Sequence, residues 1–410
     1  MKNKITYIFS LVLLSSISFL FTGCSEDAPK PAPEPDSTIL IYAVATNSLA
    51  GNLISDKNEM LIAASDIDLK RNNVLLFQAV YEYDENNQRT GNGKASLLKL
   101  VESKGLCGWD TIREFTYDTV PLDPKRINEV IDIATTQFPA HKYGLIFWSH
   151  STASDPYFAT AKTTSMAVQL PMEYSFGQDL AVGSGKDYYQ LNVDELANAI
   201  PDNLFNFIWF DSCYMSNIET IYQLRNKCNY FVGYPTEVLD DGMPYQYTLP
   251  LLASGNPDIV GAAEKLFDYY QYDYTWHIAT IAVVDMSKID ALSDFCREIY
   301  KGNISVPATA NMHKYTNNRQ TSGPFYDLGD YTREVASING GDWKNEVWNS
   351  ILNECVIYKA ATTYDFNNKR IDQERYSGIS TYVYGIGNTP EKSAFYESLD
   401  WFNTVYPDGM

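Results

Sequence analysis

Short and almost wholly apolar segments alternate along the chain with segments whose apolar residues recur every three or four positions. Thr38–Ala45, Asn73–Val80, Tyr143–Ser149 and Phe205–Phe210 belong to the first kind, which is typical of strands buried on both faces of a sheet. Residues 60–67, between the first two of these strands, belong to the second kind. The first part of the chain therefore predicts a strand–helix–strand unit.

Helix start signals lie between the later strands. Asp123 followed by Pro124 is an N-cap with proline at the first helical position, and Asn192 is followed by Glu195 at the capping-box spacing. A third helical pattern covers residues 215–227. Strands that alternate with helices in this way predict an α/β fold, with a mostly parallel central sheet and helices on both faces.

Two regions depart from this alternation. Ser151–Tyr189 is rich in Ser, Thr, Ala and Gly and is longer than an ordinary connection, which predicts a functional loop or a segment that is cut during maturation. Residues 286–410 mix the two kinds of pattern, which are helical over 286–300 and 343–360 and strand-like at Gly378–Tyr384. They follow two further predicted strands at Tyr230–Tyr234 and His277–Val284. We therefore expect an α/β domain over residues 37–285, followed by a mixed C-terminal subdomain.

The N-terminal residues have the layout of an export signal. Lys2 and Lys4 precede an apolar stretch that runs to Phe21 and is short for a membrane-spanning helix. The stretch ends in Leu-Phe-Thr-Gly-Cys24, which resembles a bacterial lipobox, where the cysteine becomes the lipidated first residue of the mature protein. We predict a lipoprotein signal peptide over residues 1–23, with an ordinary cleaved signal and a plain transmembrane anchor as the alternatives.

Residues 24–36 are acidic and rich in proline, and they show no packing pattern. This composition predicts a tether between the lipid and the folded part of the protein. We therefore expect an exported protein whose lipid anchor attaches it to the bacterial outer membrane or cell surface.

Composition and charge limit the classes of function. The chain has 51 acidic and 31 basic side chains and a net charge of −20, so we expect no nucleic-acid partner, because a polyanion would be repelled. A hydrophobic content of 45% excludes a disordered chain. The sequence shows no metal-ligand spacing and no glycine-rich phosphate loop, so we expect no cofactor. Calcium activation and the oligomeric state are left open, although no calcium-binding loop is legible.

Histidine and cysteine, the residues that most often carry acyl-transfer chemistry, are scarce. The chain has four histidines and six cysteines. If Cys24 carries the lipid, the number of remaining cysteines is odd, so at least one thiol is expected to stay free. His277 lies in an apolar run and is expected to pack within a strand, whereas His141 and His313 lie in polar turns.

The remaining histidine and one of the cysteines are placed to meet. His150 directly follows the strand Tyr143–Ser149, and Cys213 lies just beyond the strand Phe205–Phe210. If these strands are neighbours, the imidazole and the thiol share one edge of the sheet. The helical pattern beginning at residue 215 would also lower the pKa of the thiol. Such a pair can perform acyl transfer, the alternatives being an inert buried cysteine and a capping or core histidine.

Several stretches of the chain resemble the clostripain family of cysteine peptidases. They are Tyr143–His150, Ser175–Asp179, Phe205–Tyr245, Phe325–Tyr331 and Gly378–Val383. The Asp-x-Cys-x-Met pattern around Cys213 is the most specific of these motifs, and the similarity covers most of residues 37–405. The resemblance implies a caspase-like α/β sandwich in which the catalytic histidine precedes the catalytic cysteine along the chain.

The resemblance also implies roles for individual residues. Cys213 would attack the scissile carbonyl and His150 would protonate the leaving amine, while the backbone N–H groups of Ser151 and Cys213 hold the oxyanion. The family usually cleaves after Arg or Lys, and Asp211 and Asp241 match its acidic pocket residues, since a carboxylate binds a cationic side chain. The alternatives are a strand-end cap for Asp211 and an ordinary turn residue for Asp241.

The sequence departs from the family pattern directly after the histidine. Ser151 occupies a position where the family typically has glycine, so a Cβ is expected to crowd the cleft. Some members of the family cut themselves in a loop after this histidine, and the irregular stretch offers Lys162 and Lys186 as basic cleavage points.

We therefore predict an exported cysteine endopeptidase that hydrolyses peptide bonds after Arg or Lys in protein or peptide substrates. The rival prediction is a surface lipoprotein that keeps the peptidase fold without catalysis and binds peptide or glycan through its aromatic side chains. Hydrolysis of a non-peptide amide by the same dyad is a third alternative.

Overall fold

The computed structural model describes residues 34–153, 176–181, 189–301, 308–315, 325–340, 343–366, 368–384 and 390–409. The chain from Glu34 onward forms one compact unit. Cys24, Lys162 and Lys186 lie outside the described residues, as do the predicted signal peptide and most of the tether. The expected boundary between two parts of the chain near residue 285 stays a prediction.

Strands and helices alternate through much of the described chain. The strands are β1 (Ser37–Val44), β2 (Asn72–Tyr83), β3 (Arg89–Ser103), β4 (Leu106–Phe115), β5 (Lys142–Trp148), β6 (Phe176–Asp179), β7 (Tyr189–Leu191), β8 (Phe205–Asp211), β9 (Cys228–Gly233), β10 (Thr280–Asp285), β11 (Phe325–Asp327), β12 (Val356–Ala361) and β13 (Ser380–Tyr382). The helices are α1 (Ala50–Ala63), α2 (Pro124–Gln137), α3 (Val193–Ala199), α4 (Ile218–Gln223), α5 (Tyr245–Leu252), α6 (Ile259–Asp268), α7 (Ile289–Tyr300), α8 (Leu328–Ile338), α9 (Asn345–Cys355), α10 (Pro390–Ser398) and α11 (Asp400–Val405).

A nine-stranded sheet with the order β12-β10-β9-β8-β5-β1-β2-β3-β4 forms the centre of the fold. The five middle strands, from β9 to β2, are parallel. The outer pairs, which involve β10 and β12 at one edge and β3 and β4 at the other, are antiparallel. The predicted α/β fold with a mostly parallel centre is therefore confirmed.

Helices bury both faces of the sheet, which explains the continuous apolar strands in the sequence. Along β1, the side chains of Leu40 and Tyr42 belong to one apolar core and those of Ile39 and Ile41 belong to the other. Helices α1, α5 and α6 complete the second core, and the other helices pack against the first. Within the described ranges, every helix is too short or too polar to span a lipid bilayer.

Three sequence predictions of local structure were wrong. The helix expected over residues 215–227 is confined to Ile218–Gln223. The helical pattern of residues 343–360 divides into α9 and the edge strand β12. His277 is exposed and precedes β10, which begins only at Thr280. Within the apolar run at 277–284, pairing with the neighbouring strands β12 and β9 begins at Thr280.

Candidate active site

The register of two neighbouring strands places a histidine and a cysteine side by side at one edge of the sheet. Strands β5 and β8 are parallel, and Trp148 pairs with Asp211. His150 and Cys213 each lie two residues beyond this pair, and both line one cavity of about 400 Å³. The structure therefore brings together the imidazole and the thiol that the sequence singled out.

The walls of this cavity come mainly from the segments that follow four adjacent parallel strands. Residues 48–49 follow β1, residues 148–152 end and follow β5, residues 211–214 end and follow β8, and residues 237–240 follow β9. The carboxyl ends of parallel strands are the usual place for a binding site in an open α/β sheet. The cavity is thus a direct product of the sheet topology.

The His150 imidazole is held at the cavity wall by its neighbours. The ring Nε2 lies 2.8 Å from the Oγ of Ser48. The backbone carbonyl of His150 accepts a hydrogen bond of 2.8 Å from the Gly177 N–H. Burial lowers the pKa of His150, and the carboxylate of Asp240 partly opposes this shift. At neutral pH the imidazole is therefore a neutral base that can accept a proton.

The Cys213 thiol lies in an environment that keeps it protonated. Burial raises its pKa to about 12, and the carboxylates of Glu237 and Asp211 also raise it, although the Val238 N–H, 3.4 Å from Sγ, acts in the opposite direction. The expected lowering of this pKa by a helix start was wrong, because α4 begins only at Ile218. The thiol is therefore protonated at neutral pH, and nucleophilic attack by it would require a base.

A strained turn presents Cys213 to the cavity. Tyr214, directly after it, is almost fully buried and has a φ of 62°, in the left-handed region that non-glycine residues rarely adopt. The Tyr214 N–H donates to the Thr236 carbonyl at 2.8 Å, and the Ser151 hydroxyl donates to the Cys213 carbonyl at 2.5 Å. Ser151 thus helps to hold this turn.

Asp211 supplies a buried carboxylate to the cavity wall. Its Oδ2 accepts hydrogen bonds of 3.1 Å from the Met243 N–H and from the Tyr245 hydroxyl. Its Oδ1 has no hydrogen-bond partner among the described residues. Burial raises the pKa of Asp211 to about 7, so a cation beside Oδ1 would restore its charge and satisfy its unused oxygen.

Asp241, the second acidic residue expected in the pocket, lies elsewhere. Its exposed side chain accepts a hydrogen bond from the Tyr274 hydroxyl. Asp240 and Gly242, its neighbours on either side, line the cavity, whereas Asp241 does not. The structure therefore brings Asp211 into the cavity wall together with the dyad but does not bring Asp241 there.

Two further carboxyl groups lie near Asp211 and were missed by the sequence analysis. Asp56 accepts a hydrogen bond of 2.8 Å from the Trp148 indole, and burial together with the charges of Asp211 and Glu59 raises its pKa to about 9. Glu59 accepts a hydrogen bond of 2.9 Å from the Tyr245 N–H. The sequence did contain a signal for Asp56, because it lies four positions before Met60 and therefore on the buried face of helix α1.

The other histidines and cysteines lie outside the cavity. His313 Nε2 lies 3.3 Å from the buried Asp365 carboxylate, and His141 is exposed beside Glu34. The cysteines in the described chain are free thiols, namely Cys107, Cys213, Cys228, Cys296 and Cys355. Of these five, only Cys213 lines the cavity. In the same part of the chain, no three His, Cys, Asp or Glu side chains form a group that could hold a metal ion.

Comparison with solved structures places this fold among C11 proteases. A secreted C11 cysteine protease from Bacteroides thetaiotaomicron, solved with an irreversible peptide inhibitor, is 24% identical, with 91% of this chain and 99% of that chain covered and a TM-score of 0.71. An inactive zymogen C11 protease from Parabacteroides distasonis is 24% identical over 92% of this chain and 99% of that one, with a TM-score of 0.70.

A third structure, a secreted C11 cysteine protease from Bacteroides thetaiotaomicron named iotapain, is 20% identical, covers 92% of this chain and 100% of its own, and has a TM-score of 0.70. A comparison with curated proteins gave no significant match. The family model described as the clostripain family matches residues 41–383, a span that contains β5, β8 and the segments that follow them. The chain therefore belongs to the clostripain family of C11 cysteine peptidases.

Proposed function

We propose that the protein is an endopeptidase that cleaves after Arg or Lys, with Cys213 as nucleophile and His150 as general acid and base. The observation that carries this proposal is that both side chains line one cavity, whose wall also contains the buried carboxylate of Asp211. Among the described residues the Oδ1 of this carboxylate has no hydrogen-bond partner. A nucleophile, a proton acceptor and a carboxylate for a cationic side chain are the groups that such a cleavage requires.

The proposed reaction begins with proton transfer from the Cys213 thiol to His150 as Sγ bonds to the scissile carbonyl carbon. The backbone N–H groups of Ser151 and Cys213 stabilise the negative charge that develops on the carbonyl oxygen. The imidazolium then gives its proton to the leaving amine, and the C–N bond breaks. Water, deprotonated by His150, hydrolyses the thioester, releases the carboxylic acid and returns the proton to Cys213.

The environments of the two groups support this order of events. The pKa of Cys213 is raised to about 12 and that of His150 is lowered, so both groups are neutral in the free protein. The resting state that we propose is therefore the neutral pair rather than a preformed thiolate–imidazolium pair. Proton transfer accompanies attack, which makes the position of His150 critical to the rate.

The proposed preference for basic residues rests on the charge around the cavity. Asp211 lies in the wall, Asp240 and Glu237 line the same cavity, and Asp241 adds charge just outside it. An Arg or Lys side chain that enters would neutralise Asp211, whereas a neutral side chain would leave its Oδ1 buried without a partner. The cavity therefore favours cationic side chains.

An active-site label tests the proposal. A peptidyl-Lys or peptidyl-Arg chloromethyl ketone is expected to alkylate wild-type protein at one thiol, identified as Cys213 by mass spectrometry of its peptides. Cys213→Ala is expected to abolish labelling, and Cys107→Ala, which removes a partly exposed free thiol outside the cavity, is expected to leave it unchanged. We also propose that the protein cuts itself at Lys162 or Lys186. The label is therefore applied both to untreated protein and to protein cut by limited trypsin treatment, and reaction in either state supports the proposal.

Failure of this labelling would favour the rival function. If the protein neither reacts with these ketones nor cleaves Arg or Lys reporter peptides in either state, it keeps the fold without the proposed activity. Labelling of Cys213 by a neutral peptidyl ketone but not by a basic one would instead retain the dyad and overturn the basic preference.

We also propose that the protein is exported and anchored by lipid at Cys24. The Leu-Phe-Thr-Gly-Cys24 ending of the leader and the acidic, proline-rich residues 24–36 support this. Two of the similar proteases from Bacteroides thetaiotaomicron are described as secreted. Metabolic labelling of cells with an alkyne analogue of palmitate is expected to mark the wild-type protein and not Cys24→Ala, and equal labelling of both would exclude Cys24 as the attachment site.

A further inference from the structure

We propose that Ser48 is a positioning residue for the dyad: its hydroxyl holds Nε2 of His150, so that Nδ1 is the ring nitrogen that exchanges protons with Cys213. This inference rests on the proposed role of His150. The contact that carries it is the 2.8 Å distance between Ser48 Oγ and His150 Nε2, at the wall of the cavity that Cys213 also lines.

The loop that carries Ser48 is fixed by its buried neighbour, Asn47. The side-chain amide of Asn47 donates to the carbonyls of Val44 at 2.9 Å and Gln178 at 2.8 Å. Its Oδ1 accepts a hydrogen bond of 2.9 Å from the Leu49 N–H, on the far side of Ser48. Ser48 is therefore exposed to the cavity but anchored on both sides.

The segment that carries His150 is tied to the same two elements. The Ser149 hydroxyl donates to the Val44 carbonyl at 2.9 Å and accepts from the Gln178 N–H at 3.2 Å. The His150 carbonyl accepts from the Gly177 N–H at 2.8 Å. The end of β1, strand β6 and the end of β5 thus form one hydrogen-bonded frame, which fixes the hydroxyl and the imidazole relative to each other.

This frame also gives a role to a motif that the dyad alone did not explain. Ser175–Asp179 was singled out by its resemblance to the family, and its described part, Phe176–Asp179, is β6. Asp179 accepts a hydrogen bond of 2.6 Å from the Thr46 hydroxyl, and the Leu180 N–H donates to the Thr46 carbonyl at 2.9 Å. Strand β6 therefore supports the Ser48 loop.

The chemistry of a hydroxyl suits this position. With a proton on Nε2, the imidazole donates to Ser48 Oγ, and it keeps that bond when Nδ1 takes the thiol proton and the ring becomes positively charged. Hydrogen bonds from charged groups are stronger than those from neutral groups, so the contact strengthens as the imidazolium forms. The Asp240 carboxylate acts on His150 in the same direction.

Kinetics of three variants test the inference. Ser48→Ala is expected to lower kcat about 10- to 100-fold, because a hydrogen bond to a charged group is lost, with KM changed less than about twofold. The acid limb of its pH–rate profile is expected to move to lower pH. Ser48→Thr should restore most of kcat. Ser65→Ala should match wild type, since Ser65 does not line the cavity and its hydroxyl donates to the Ile62 carbonyl at 3.0 Å.

Nuclear magnetic resonance of ¹⁵N-histidine protein gives a readout that does not require peptidase activity. The chain has four histidines, so the His150 signals can be assigned with His150→Gln. We expect the Nε2–H tautomer in wild type and Ser48→Thr, and a mixture of tautomers in Ser48→Ala. An unchanged tautomer and an unchanged acid limb in Ser48→Ala would overturn the inference. The expected tautomer shift in a protein that cleaves no peptide would support the positioning role and count against the proposed function.

Discussion

Replacing His150 by alanine is expected to lower kcat for a Lys or Arg reporter peptide about 10³- to 10⁴-fold. The effect is large because one imidazole both accepts the proton of a thiol whose pKa is raised to about 12 and protonates the leaving amine. The residual rate should rise with pH throughout the range from 6 to 10, since the thiol must then ionise without a base. Steady-state kinetics at several pH values measure both effects.

A matched histidine variant separates this loss from a general disturbance of the fold. His277 is exposed and lies outside the cavity, so His277→Ala is expected to leave kcat, KM and the pH profile unchanged. A loss of less than tenfold in His150→Ala would show that another group takes the proton from Cys213 and would exclude the proposed dyad.

Asp211→Asn is expected to lower kcat/KM for Arg and Lys substrates about 10³-fold while changing that of a norleucine or Gln substrate by less than about tenfold. Asparagine keeps the size of the side chain and a carbonyl oxygen for Met243 and Tyr245, but it removes the negative charge from the cavity wall. Parallel kinetics with substrates that differ only in the residue before the cut measure this change in preference.

The pH dependence of the same variant provides a control on folding. In the folded protein the pKa of Asp211 is raised to about 7, so KM of wild type for basic substrates should fall between pH 6 and 8, and this change should be absent in Asp211→Asn. Such a raised pKa destabilises the folded state increasingly as pH rises from about 4 to 7. The melting temperature of Asp211→Asn should therefore exceed that of wild type at pH 8 more than at pH 4.

A substitution that fills the space beside Asp211 tests the same preference by steric means, without removing the charge. A Cβ at Gly242 would lie 3.0 Å from Asp211 Oδ2, and the φ of 61° at this residue disfavours any side chain. Gly242→Ala is expected to reduce kcat/KM for basic substrates through KM, in the same direction as Asp211→Asn. An Asp211→Asn protein that keeps its preference for Arg and Lys would assign that preference to Asp240 or Glu237 instead.

The parts of the fold that the sequence predicted correctly are those with the simplest burial. Strands β1, β2, β5 and β8 are covered on both faces, and their apolar runs are continuous. Strands β3 and β4 were missed because much of their length is exposed, so their apolar residues are interrupted by polar ones and form no long continuous run. The antiparallel edge formed by β3 and β4 was hidden for this reason.

The candidate site divides in a similar way. His150 and Cys213 could be named from the sequence because each lies just beyond the end of a strand whose position was clear, whereas Asp211 was named from the resemblance to the family. The role that we propose for Ser48 could not be predicted, because it depends on a contact across neighbouring loops rather than on a pattern along the chain. Asp241 lies beside the cavity rather than in its wall, since the direction of a turn side chain is not encoded by spacing.

The pairing of Trp148 with Asp211 has a consequence for how relatives of this protein can be compared. The register of strands β5 and β8 fixes the positions of the histidine and the cysteine relative to each other. The polypeptide between them leaves the sheet after β5 and returns to it at β8. Insertions or deletions between the two strands can therefore accumulate during evolution without altering the alignment of the reactive groups. Ladder position, rather than the number of intervening residues, is the quantity by which such sites should be matched.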